Sequence, residues 1–207
     1  MMWLICGPSS VGKSTFIESG KAAHFANLPN NTPTKFPVEF ESDLFIPNSD
    51  FFLHYNILRP YHFIDNSTKY SDFVNRLKRF FFLEHHSSTE WEYIKSSWVY
   101  QKDTSWRNIL NTKYAKKAII LVSTKNIIIE RTKQRLIIEN LHLTNTNQGK
   151  YPSSFWINLY NKIDLNDIYR IWCNELDQHG IDYICIDTSS GTYNLIDKQY
   201  LSSNINS

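Results

Sequence analysis

The chain is poor in glycine and cysteine, carries almost no net charge and has no long apolar run. Each shortage excludes something. Six glycines in 207 residues rule out a glycine-rich low-complexity or fibrous chain. Three cysteines, Cys6, Cys173 and Cys185, are too few and too far apart for a disulfide framework, and no C-x-x-C metal spacing occurs. They read as buried thiols in a reducing compartment. A formal net charge of +2 gives no global field for gripping a long nucleic acid, although it leaves a local basic pocket open. No apolar run approaches the roughly 20 residues of a membrane span. The opening MMWLIC is too short for a signal peptide and lacks a basic lead-in, so the expected location is cytoplasmic. What is present is the making of one folded domain: 42% hydrophobic and 15% aromatic residues, with 20% charged.

Against so little glycine, the stretch Gly7-Pro-Ser-Ser-Val-Gly12-Lys13-Ser14-Thr15 stands out. It fits G-x-x-x-x-G-K-[ST] at every fixed position. Gly7 and Gly12 permit a loop whose backbone N–H groups, those of Ser9, Ser10 and Val11 among them, turn inward on a polyphosphate. Lys13 can reach the β and γ phosphates, the Ser14 hydroxyl can ligate Mg²⁺, and Thr15 is counted with the nucleotide-binding residues of the loop. The bland reading is a Gly/Ser turn before a helix. The context favours the specific one, because a short apolar run precedes the loop and a helical stretch follows it.

The rest of the chain alternates. Residues 2–6 read as a buried strand and 12–25 as a helix. Residues 27–50, with four prolines, read as loop with a short extended piece at 38–41. FFLHYNI at 51–57 and KAIILVS at 117–123 read as buried strands, and IDYICID at 181–187 as the last one. Helix is expected over 126–141 and 155–178, the latter stopped by Gly180. Residues 61–110 form an aromatic-rich, helical insert, and 131–155 a candidate lid. Strands separated by helices predict an α/β three-layer sandwich around a mainly parallel sheet, with ligands at the carboxyl ends of the strands.

Two matches point elsewhere. Asn161-Lys-Ile-Asp164 copies the guanine-reading N-K-x-D of GTPases, and Asp177-Gln-His-Gly180 copies D-x-x-G. Their order is reversed, and N-K-I-D falls inside the expected 155–178 helix, where a polar helix face is the plainer reading.

Three stretches together resemble the small P-loop kinases, the group of nucleoside monophosphate, shikimate, gluconate and adenylylsulfate kinases. They are the loop at Gly7, KAIILVSTKNIIIERTKQR at 117–135 and IDYICIDTSS at 181–190, about 40 residues in all. Only the loop is highly specific. The resemblance implies the P-loop fold, ATP and Mg²⁺ as cofactors, and transfer of the γ-phosphoryl group to a small-molecule acceptor. Lys13, Arg131 and Arg135 would then neutralise the moving phosphate, with Lys133 a weaker candidate. Arg131 and Arg135 are four apart and so share a helix face. A nucleotide-binding switch or assembly NTPase remains the alternative. A nucleic-acid end kinase is disfavoured by the near-neutral charge.

The chain departs from that group where a carboxylate should follow an inner strand. Asp43 and Glu41, in Glu41-Ser-Asp43, are the nearest match to its D-x-D: a base or Mg²⁺-water ligand and an acceptor contact, respectively, or else solvated loop acids. Asp50 precedes its strand and belongs to the wrong edge. His54 and Asn56, polar groups in an apolar strand, are acceptor-site or Mg²⁺-shell candidates, or a satisfied core network. Arg59 could bind an anionic acceptor. Glu84-His85-His86 lacks a third ligand at useful spacing. Trp156 and Tyr160 are candidates to cap the site or to pack the core.

Overall fold

The computed structural model describes residues 1–35, 49–57, 115–141 and 153–201, all within one unit comprising Met1–Leu58 and Tyr114–Ser207. The insert expected at 61–110, the extended piece at 38–41, the lid stretch 142–152, and with them Glu41, Asp43, Arg59 and Glu84-His85-His86, lie outside the described residues.

The element order is β1 (Met2–Gly7), α1 (Lys13–Glu18), α2 (Lys21–Ala26), β2 (Thr34–Lys35), β3 (Phe51–Asn56), β4 (Lys116–Val122), α3 (Lys125–Leu141), α4 (Ser153–Lys162), α5 (Leu165–Gln178), β5 (Asp182–Asp187) and β6 (Asn194–Ile196). A single 3₁₀ turn, Lys198–Leu201, follows. The strands form one six-stranded sheet in the order β2-β3-β1-β4-β5-β6. Every pairing is parallel except β5 with β6. This is a mixed α/β fold around a mostly parallel sheet.

The inner strands read as continuous apolar runs because both of their faces are covered. Met2, Leu4, Ile5 and Cys6 of β1, Phe51, Phe52 and Leu53 of β3, and Ala118 to Val122 of β4 are all buried. Burying side chains of this size stabilises the fold by about 1.5–3 kcal/mol each. Helix α5 closes over the sheet with Ile168, Tyr169, Trp172 and Leu176, at helical spacing. Trp172 lies stacked on Tyr55 of β3, with ring centroids 5.2 Å apart. All three cysteines are free and buried.

Two expected helices are each broken in two. The helix expected over 12–25 stops at Ser19 and restarts after Gly20, whose φ of +73° is left-handed. Gly20 caps α2, accepting from the His24 N–H. The helix expected over 155–178 breaks at Ile163-Asp164. There the Asp164 carboxylate accepts from the N–H groups of Asn166 and Asp167 and starts α5. N-K-I-D therefore spans a helix junction and is not a continuous polar face, and its aspartate serves as an N-cap. Asp177 of the D-x-x-G match accepts from the Tyr183 hydroxyl, and Gly180, at φ +61°, ends α5. Strand β6 had no clear signature. It is short and largely exposed, so no apolar run marks it.

Strand order fixes where a ligand can sit. From β1 the chain first builds outward through β2 and β3, then crosses to build β4 and β5 on the other side. The carboxyl end of β1 is thus the point where the two halves diverge, and such a crevice is where open α/β sheets bind ligands. Gly7 is the last residue of β1.

Candidate functional site at the Gly7–Thr15 loop

The loop leaves the sheet between two neighbours. Gly7 is in register with Asn56 of β3 on one side, and β4 runs along the other. Its backbone is extreme. Gly7 has a φ of +154°, and a Cβ there would stand 2.7 Å from Val11 Cγ1 and 3.0 Å from the Leu121 carbonyl oxygen. Gly12 has a φ of +103° and caps α1. Ser10, not a glycine, is also left-handed, at φ +64°. A strained non-glycine residue of this kind persists only where its surroundings hold it. The Ser10 hydroxyl oxygen is buried and has no hydrogen-bond partner among the described residues.

Lys13 is nearly buried, at 5% exposure. Its ammonium donates to the carbonyl oxygens of Gly7, at 2.9 Å, and Pro8, at 2.6 Å. A buried charge needs such partners, and here they hold the side chain folded back across the loop. Ser14 and Thr15 are exposed. The Ser14 hydroxyl faces His54 Nε2 at 3.4 Å.

The flank formed by α3, α4 and the β5–β6 connection grips the loop from outside. Arg131 Nη1 donates to the Val11 carbonyl and to Thr188 Oγ1, each at 3.2 Å, and Nη2 donates to the Thr188 carbonyl. The Thr188 hydroxyl also donates to the Val11 carbonyl, at 3.1 Å. One turn along α3, both terminal nitrogens of Arg135 donate to Ser9 Oγ at 3.3 Å, while its Nε donates to Ser153 Oγ at 2.8 Å. The Tyr160 hydroxyl donates to the Ser9 carbonyl at 2.8 Å. Burial, assisted by Tyr169, raises the Tyr160 pKa well above its ordinary value against the pull of Arg135 and the Ser9 bond. It remains a neutral donor.

The sequence candidates therefore meet at one end of the sheet. Gly7, Ser9, Ser10, Val11, Gly12, Lys13, Ser14 and Thr15 form the loop, Arg131, Arg135 and Tyr160 touch it, and His54 reaches it. Asn56 lies in register with its first residue and is buried. Lys133 is exposed. Trp156 is buried and stacked with Tyr160, with centroids 6.3 Å apart, so it packs behind the tyrosine. Asp50 sits at the amino edge of β3, where it pairs with the Met1 ammonium at 2.7 Å. The sequence reading missed Thr188. Its signal was positional, a hydroxyl residue directly after β5 and so at the same sheet edge as the loop. Beneath the loop, burial raises the Cys6 thiol to about 12, although Trp172 and Lys13 pull the other way.

Chemically, the loop suits an anion that arrives charged and accepts many hydrogen bonds. It offers an ammonium now spent on carbonyls, an unpartnered buried hydroxyl, an exposed hydroxyl and a backbone held open by two left-handed glycines. Among the described residues no three His, Cys, Asp or Glu side chains converge on a metal site. The oxygen and nitrogen groups nearest the exposed end of the loop are the Ser14 hydroxyl and His54 Nε2, too few to hold a divalent cation without donors from a ligand. Among the described residues no helix is long and apolar enough to cross a membrane. No known family, curated protein or solved structure matches the chain.

Proposed function

We propose that the chain is a kinase with the P-loop fold of the nucleoside monophosphate kinase-like group, a three-layer α/β sandwich. In this reading it binds ATP with Mg²⁺ and transfers the γ-phosphoryl group to a small-molecule acceptor. The observation that carries the proposal is the Lys13 ammonium, folded into a glycine-bounded loop at the carboxyl end of the central strand. Loop N–H groups and Lys13 would hold the β and γ phosphates. Ser14 would hold the cation, which neutralises phosphate charge when bound. Arg135, at the loop's lip on Ser9, is within reach of a phosphate that displaces the serine hydroxyl. A guanidinium there suits charge that builds during transfer. Arg131 has its donors on Val11 and Thr188 and acts as a positioning residue that sets the loop. His54 and Asn56, beside the loop, would contact the acceptor or the cation's shell. Asp43, Glu41 and Arg59 keep their proposed roles as base and acceptor contacts on sequence grounds.

The test is Lys13→Ala. We expect ATP affinity by calorimetry to fall at least about a hundredfold with the circular dichroism spectrum unchanged. Unchanged affinity in a folded variant overturns the reading. ATP turnover should also rise strongly when the right acceptor is added from pools of nucleotides, sugars and sugar phosphates, because a kinase site must exclude water. Equal turnover with every pool would leave a hydrolysing switch or assembly NTPase as the better description.

A further inference from the structure

Beside the loop, β3 offers nitrogen where a carboxylate would suit a hard cation. The described residues hold no carboxylate at the carboxyl end of β3, which ends His54-Tyr55-Asn56. His54 is in register with Ile5 of β1, two residues before Gly7. From there its Nε2 stands 3.4 Å from Ser14 Oγ, and Ser14 is exposed. Adjacent donors on one six-coordinate ion with bonds of about 2.1 Å stand about 3.0 Å apart. A shift of a few tenths of an ångström by either flexible side chain would let both serve one ion. Imidazole is a poor donor for Mg²⁺, which favours oxygen and keeps its water, and a better one for later first-row ions.

We propose that His54 Nε2 joins Ser14 Oγ as a protein donor to the nucleotide's divalent cation, and that the site therefore prefers a borderline ion such as Co²⁺ over Mg²⁺. The proposal rests on the reading of the loop as a nucleotide site and deepens it. It assigns His54 to the metal and leaves acceptor contact to Asn56.

The test uses the full chain with a non-hydrolysable ATP analogue. With Mn²⁺ as the ion, pulsed EPR should show coupling to a histidine nitrogen, and labelling the histidines with ¹⁵N should change that coupling accordingly. This readout needs no variant and no turnover. By calorimetry, the analogue should bind at least about tenfold tighter with Co²⁺ than with Mg²⁺, and His54→Asp should bring the ratio to about twofold or less. Analogue that binds with Mn²⁺ but shows no histidine coupling overturns the proposal and leaves the nucleotide reading standing. Analogue that binds with no ion tried, in wild type as in Lys13→Ala, overturns both.

Discussion

The two flanks of the Gly7–Thr15 loop are built differently. On the α3–α4–β5 side, Arg131, Arg135, Tyr160 and Thr188 all donate to Ser9 or Val11, and the guanidinium of Arg131 ties Val11 to Thr188. On the β3 side the Ile57 N–H donates to the Gly7 carbonyl at 3.2 Å, and at the loop's other end the Ser14 hydroxyl meets His54 at 3.4 Å. The first flank uses side chains to fix backbone, which holds a loop with three left-handed residues in one shape. The second sets an adaptable side chain against an exposed hydroxyl. The contrast fits a division of labour in which one side preorganises the loop and the other meets what binds there.

The sharpest way to break that comparison is to spoil the loop's shape without touching a donor. In Gly7→Ala the new methyl would meet Val11 Cγ1 at 2.7 Å and the Leu121 carbonyl at 3.0 Å, in a backbone that side chains rarely adopt. The expected loss is on the order of 3 kcal/mol in urea unfolding. In Gly12→Ala nothing lies within 4 Å, so only the φ of +103° costs, about 1–2 kcal/mol. If the two variants unfold alike, crowding of Gly7 by Val11 and by Leu121 of β4 does not set the loop.

The arginines one turn apart on α3 separate bracing from chemistry. On the kinase reading proposed above, Arg135→Ala should lower kcat by about a hundredfold and leave ATP affinity within about threefold, as expected for a group that acts in the transition state. Arg131→Ala should instead destabilise the protein by about 1–3 kcal/mol, because the carbonyls of Val11 and Thr188 lose a donor. Its affinity for ATP should fall with the loop's order. Gln134→Ala, at an exposed position on the same helix, is the control. Steady-state kinetics beside thermal melts decide. A pure kcat effect in both variants would return Arg131 to the transition state.

How much of this was legible depends on how each element is marked. Strands β1, β3, β4 and β5 are covered on both faces, so each declares itself as an apolar run ending within a residue or so of its expected place. The loop was legible because its motif is a backbone requirement written in glycines. The helix breaks were less so. Ser19-Gly20 is a turn signal that the flanking helical pattern outweighed. Asp164 with Asp167 three residues on resembles a cap, yet apolar periodicity runs across it. Partners far apart in sequence, such as Arg131 with Thr188 or Ser14 with His54, are created by strand order and have no local mark.

The smallest expected effect concerns the motif that pointed elsewhere, on the far side of the bracing flank. Lys125, near the start of α3, donates to the Ile163 carbonyl at 3.1 Å and so ties that helix to the α4–α5 junction. Burial lowers its pKa, and the charge of Asp164 partly restores it. Asp164 itself caps α5 through the N–H groups of Asn166 and Asp167. Asp164→Ala should therefore cost about 1 kcal/mol of stability, the usual worth of a cap. If the aspartate read a guanine base, the same substitution would weaken GTP binding selectively. We expect no such change: the ratio of GTP to ATP affinity, measured by competition calorimetry, should match wild type while the melting temperature falls by a few degrees. A selective loss of GTP affinity with unchanged stability would reverse the assignment. The N-K-I-D junction would then be a base-reading element, with the bracing flank extending from the phosphates to the base.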